Sequence, residues 1–108
     1  MLKAPKYDKD RIISFKLVNG DEIVAKLVDE LDNSYVLSKP CTVIPSAQGM
    51  GLLQSLYTGD LNSTVDLDKT HVMLHAPTVK EIESHYIATT TGIEPASAGS
   101  IKIGRAHV

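Results

Sequence analysis

Two alternating apolar runs that meet at an Asn-Gly pair restrict the folding of this chain more than any other feature. Ile13, Phe15 and Leu17 alternate with Ser14 and Lys16, Asn19-Gly20 interrupts the pattern, and Ile23, Ala25 and Leu27 resume it. A period of two puts each apolar set on one face of an extended strand. Asn and Gly both tolerate positive φ, so the spacing predicts a β-hairpin closed by a type I′ turn. A hairpin with one apolar face needs a further layer to bury it.

The rest of the chain supplies that layer. Residues 29–34 read as an acidic turn, and residues 35–44 as a longer strand with Pro40 at its middle. Proline has no ladder donor, so this strand must bend, bulge or lie at an edge there. Residues 45–51 read as a loop and 52–57 as a short apolar strand. After a turn at 59–63, the runs 64–67 and 71–76 flank Asp68-Lys69-Thr70 and read as a second hairpin. Thr78-Val79-Lys80-Glu81 has the form of a capping box, Val79, Ile82 and Tyr86 follow at i, i+3 and i+7, and Gly92 marks a stop. The outline is mainly β: about five short antiparallel strands in a small, strongly bent barrel, with one C-terminal helix capping its open end.

A length of 108 residues with 43% hydrophobic and 22% charged supports one modest core and excludes two full domains. With no Trp and one Phe, that core is built from Ile, Val and Leu, which suits strands and disfavours a large aromatic ligand pocket. No apolar run is long enough for a membrane helix and the N-terminus lacks a signal-peptide stretch, so a soluble cytoplasmic protein without membrane contact is expected. Cys41, the single cysteine, reads as a small core residue.

Residues 11–93 carry the patterned fold. Residues 1–10 form a basic end, 94–101 an Ala/Ser/Gly-rich tail expected to be flexible, and 102–108 resemble the translation of a common sequencing adapter. Without Lys102 and Arg105, nine basic residues stand against thirteen acidic ones, a formal charge of −4 in place of −2. That balance argues against bulk binding to a phosphate backbone. The cations Lys3, Lys6, Lys9, Arg11 and Lys16 nevertheless gather at the start, where they form an electrostatic footprint or simply a solvated terminus.

For an enzyme, the strongest constellation is His71, His75 and His85 with Glu81 or Glu83. On an extended strand His71 and His75 share a face but stand about 13 Å apart, too far to chelate one ion. No Gly-rich phosphate loop, Gly-x-Ser-x-Gly elbow or His-Glu-x-x-His helix is present. Neither catalysis nor a metal or other cofactor is expected.

Leu17-Val18-Asn19-Gly20 with the strand after it, the Asp32 turn and Leu37, and then Leu67-Asp68-Lys69-Thr70-His71-Val72 resemble the two-part signature of the Sm-like proteins. Over residues 11–93 the run is similar to the small Sm-like proteins of marine and cyanophage-type bacteriophages. The resemblance implies a bent five-stranded barrel whose edge strands pair between copies into a closed homo-oligomeric ring, placed in the host cytoplasm if phage-encoded. It also implies binding of single-stranded RNA near the pore through two loops.

Carried over by position, the base-reading residues differ. The asparagine that follows the first-motif aspartate by four residues is Val36 here, and the Arg-Gly pair of the second motif is Asp68-Lys69. Asn33 and Tyr35 offer an amide and a stacking face beside the first loop, and Lys69 offers a phosphate contact at the second. The same residues also read as a turn pair with Asp32, a half-buried packing residue and a polar turn residue. The expectation is weak, poorly sequence-specific binding of single-stranded RNA or DNA through Asn33, Tyr35 and Lys69, aided by Lys3, Lys6, Lys9 and Arg11. The alternative is an assembly or adaptor ring that binds phage or host proteins and no nucleic acid.

Overall fold

A computed structural model describes residues 6–91, so Lys3, Gly92, the 94–101 tail and the 102–108 segment lie outside the described residues. The chain forms β1 (Ile12–Leu17), β2 (Glu22–Glu30), β3 (Ser34–Ser46), β4 (Gly49–Gln54), β5 (Thr64–Asp68), a 3-10 turn (Lys69–His71), β6 (Val72–Pro77) and α1 (Lys80–Thr91). All strand pairs are antiparallel, in the order β4-β3-β2-β1-β6, with β5 also on β3. The molecule is thus a strongly bent, mainly β sheet with a C-terminal helix. It has six strands where about five were expected, and residues 45–51 are not a loop but lengthen β3 and β4. Pro45 and Met50 are paired, and only Ala47-Gln48 turn between β3 and β4.

Alternation alone sorts the first hairpin. Ile13 and Phe15 on β1 and Ile23, Ala25 and Leu27 on β2 point into the main core, joined by Tyr7, Tyr35 and Leu37. The turn differs from the expected type I′. Gly20 is at φ 96° while Asn19 keeps negative φ, the Gly20 N–H donates to the Leu17 carbonyl, and the Leu17 N–H donates to Asp21. This is the three-residue loop with a left-handed glycine. The Asn19 side chain favours it by accepting the Asp21 N–H at 3.0 Å.

β3 bends where proline requires it. Val24 pairs with Cys41 and Lys26 with Ser38, so Lys39 and Pro40 together face the single residue Ala25. Lys39 takes φ 50° within this bulge. One extra residue flips every later side chain to the opposite face. Tyr35 and Leu37 therefore enter the main core, whereas Cys41 and Val43 join a second cluster with Ile12, Val24, Leu52, Tyr86 and Ile82. The helix rests on this second cluster.

Two local expectations at that helix are overturned. Thr78 makes no reciprocal capping box with Glu81. Its N–H donates to the Ile12 carbonyl at 3.1 Å and its hydroxyl lies 2.8 Å from that of Ser14, so β1 takes up the Thr78 groups that a box would have used. Val79 precedes the helix and is 64% exposed, which leaves Ile82 and Tyr86 as the residues that pack.

The expected second hairpin does not form either. β5 pairs with the first half of β3, β6 pairs with β1, and the 3-10 turn crosses from one edge to the other. The sheet stays open, and within it β5 and β6 each pair on one side only.

Candidate nucleic-acid interface

The crossing turn brings the two sequence segments together. The Lys69 N–H donates to the Asn33 carbonyl at 2.9 Å, and the Lys69 ammonium lies 5.0 Å from the centre of the Tyr35 ring. Asp68 shapes this turn by capping it. One carboxylate oxygen accepts both the Thr70 N–H at 2.9 Å and the Thr70 hydroxyl at 2.8 Å. Those bonds hold the Asp68 carboxyl below its ordinary value, with His71 adding a smaller effect in the same direction. An acidic residue where the resemblance would place arginine thus has a local structural role.

Asn33, Tyr35 and Lys69 are adjacent but differently available. Asn33 is exposed, and Lys69 is half-buried. Tyr35 is only 6% exposed, with its ring 5.1 Å from Phe15 and 5.8 Å from His75. Burial raises the Tyr35 hydroxyl above its ordinary pKa, and Glu30 adds to the rise while Lys69 opposes it. A base cannot stack on Tyr35 without displacing a neighbour.

Two neighbours, Glu30 and Tyr7, escaped the sequence reading, and a third, His75, was weighed there only as part of a metal or catalytic constellation. Glu30 binds Lys69, with Oε2 2.8 Å from Nζ. A bulge at Val28 puts it there: Leu27 pairs with Leu37 but Asp29 with Val36, which sets Glu30 opposite Tyr35. Unbroken alternation from Leu27 would have chosen Asp29 for that face. Tyr7, which no periodicity marks, is buried in the core. Its hydroxyl lies 2.7 Å from His75 Nδ1, and the two rings meet edge to face at 5.5 Å. His75 faces inward because β6 pairs it with Phe15. The Tyr7 pKa is raised by burial, and the charges of Tyr35 and Glu30 add to this while Arg11 lowers it, so the N-terminal segment belongs to the same electrostatic neighbourhood.

Of the N-terminal cations, Lys6, Lys9 and Arg11 are exposed, and the Lys6 ammonium sits 5.7 Å from the Tyr7 ring centre. His71 lies in the 3-10 turn, where its carbonyl accepts the Val18 N–H, and His85 lies on the helix. Among the described residues no group of three or more His, Cys, Asp or Glu could hold a metal ion, and no helix is long and apolar enough to cross a membrane. Compared with models of known protein families and with curated protein sequences, the chain matches none.

Proposed function

We propose that this protein is an Sm-like, ring-forming module that binds single-stranded RNA or DNA weakly and with little sequence preference, in phage nucleic-acid metabolism in the host cytoplasm. The observation that carries the reading is the meeting of Asn33, Tyr35 and Lys69 at one end of the sheet. The two loops that the Sm-like resemblance assigns to a ligand arrive there from segments more than thirty residues apart. Assembly is supported by the half-paired strands β5 and β6, whose open edges suit head-to-tail pairing between copies.

Binding is tested on oligo-U, oligo-A and oligo-dT across a salt series. Affinity should fall with salt and differ little among the three. Lys69→Ala should weaken all three and flatten the salt slope. Tyr35→Leu, which keeps apolar bulk in the core, should cost roughly 1–3 kcal/mol per stacked base. Strong preference for one homopolymer would reveal a base-reading pocket, and absence of binding at low salt would remove the reading.

A second reading, an adaptor ring for proteins, is favoured by Met73 and Leu74. Both are exposed on β6, and Met73 is the extra residue of a bulge between the Leu17–Val72 and Lys16–Leu74 pairs. Assembly without any oligonucleotide binding would select it.

A further inference from the structure

We propose that Glu30 closes Lys69 and that Tyr7 closes the aromatic cluster beside it, so that a single-stranded ligand enters by replacing the Glu30 carboxylate on Lys69 with a phosphate and by lifting Tyr7 off the His75 ring. This inference rests on the nucleic-acid reading above and assigns its control to two residues of the chain itself.

The Glu30 half follows from the ion pair. Lys69 is the cation nearest Tyr35, and Glu30 already neutralises it at 2.8 Å. Both side chains keep solvent contact, 29% for Lys69 and 24% for Glu30. A partly solvated pair of this kind is weak and screened by salt, so a phosphate oxygen can take the place of the carboxylate. The new contact keeps Lys69 paired and frees Glu30 to water.

The Tyr7 half follows from what covers the His75 ring. Tyr35 is enclosed by Phe15 and His75 from paired strands, and Tyr7 covers His75 from outside the sheet. The Tyr7 side chain is held by one hydroxyl bond to His75 and by packing. Its segment is tied to the sheet further along the chain. There the Asp10 N–H donates to the Leu27 carbonyl at 2.6 Å, the Leu27 N–H donates to Arg11 at 2.8 Å, and Asp10 stands at φ 70°. The Arg11 N–H also donates to the Asp8 carbonyl at 3.4 Å, so residues 6 and 7 lie beyond the tether and can swing while the sheet stays intact. Lys6 travels with them, and exposed Lys9 stands beside the tether, where both can meet phosphates.

The test compares the parent with Glu30→Gln, Tyr7→Ala and Asp66→Asn. The last removes an equal charge from exposed Asp66 on β5 and controls for net charge. Three quantities are measured: acylation of Lys69 by a succinimidyl ester, read by mass spectrometry; affinity for inorganic polyphosphate; and affinity for a ten-nucleotide oligo-dT. Glu30→Gln should raise Lys69 acylation and both affinities three- to tenfold beyond Asp66→Asn. Tyr7→Ala should tighten oligo-dT by a similar factor and leave polyphosphate unchanged, because Tyr7 blocks bases and not phosphates. If Tyr7→Ala loses its fold by circular dichroism, Tyr7→Phe takes its place with about a twofold tightening expected, since it lacks only the bond to His75. Unchanged acylation and polyphosphate affinity in Glu30→Gln would overturn the latch, and unchanged oligo-dT affinity in the Tyr7 variant would overturn the strap. Faster acylation and tighter polyphosphate in Glu30→Gln, with no oligo-dT binding by any variant, would uphold the latch and overturn the nucleic-acid reading.

Discussion

The Tyr86 hydroxyl donates to the Ser38 carbonyl at 2.8 Å, joining the one helix among the described residues to the bend of the longest strand. The same proton also points at the Lys39 carbonyl at 3.0 Å, and the oxygen accepts the Lys26 N–H at 3.1 Å. These backbone groups lie at and beside the Lys39-Pro40 bulge of the β2–β3 ladder. Lys39 returns a bond by donating from Nζ to the Thr90 carbonyl in the last turn of the helix. Bulge and helix therefore stabilise each other.

Tyr86→Phe should destabilise the fold by about 1–3 kcal/mol, because it keeps the packing of a side chain only 2% exposed but takes the acceptor from the half-buried Lys26 N–H and the donor from the Ser38 carbonyl. Urea unfolding of the two proteins measures the difference, which should appear in the midpoint and leave the slope unchanged. A change below about 0.5 kcal/mol would show that water replaces the hydroxyl.

Cys41 should resist thiol reagents in the folded protein. Burial in the second cluster pushes its thiol up to about 11 from 9.0, so almost no thiolate is present at neutral pH. Labelling with iodoacetamide at pH 7.5 should follow unfolding, accelerating sharply with urea. Above pH 9.0 the unfolded chain releases this proton first, so stability should fall until the folded thiol ionises as well. Equal labelling rates with and without urea would contradict the placement.

The Asp68 cap should matter at neutral pH and fade in acid. Its folded carboxyl is held below the ordinary value of 3.8, so its contribution is complete above that pH and disappears as pH falls through the lowered value. Asp68→Ala should lower the urea midpoint at pH 7, and the gap from the parent should shrink as both are titrated below pH 4. A gap that widens in acid would reverse the assignment.

Assembly should depend on the open edge of β6. Light scattering at micromolar concentration is expected to give a mass several times that of one chain. Leu74→Lys places a charge on a residue 65% exposed at that edge and should reduce the mass while far-ultraviolet circular dichroism stays the same. A parent that remains monomeric across the concentration range removes the ring from the reading.

Local sequence was sufficient wherever one strand face could be decided without its partner. The alternation of Ile13, Phe15, Ile23, Ala25 and Leu27 marked the inward face of the first hairpin, and Pro40 marked the bend of β3. Ile82 and Tyr86 marked the side on which the helix packs. What it could not decide were the pairings and the places where a strand carries one extra residue, since these depend on backbone partners distant in the chain. The bulge at Val28 moved Glu30 beside Tyr35, the bulge at Lys39-Pro40 sent Cys41 to a second core, and the separate pairing of β5 and β6 turned an expected hairpin into a crossing that carries Lys69 to Asn33. The two bulges act through the period-two geometry of strands, in which a shift of one residue reverses every side chain that follows, and the crossing acts through the choice of strand partners.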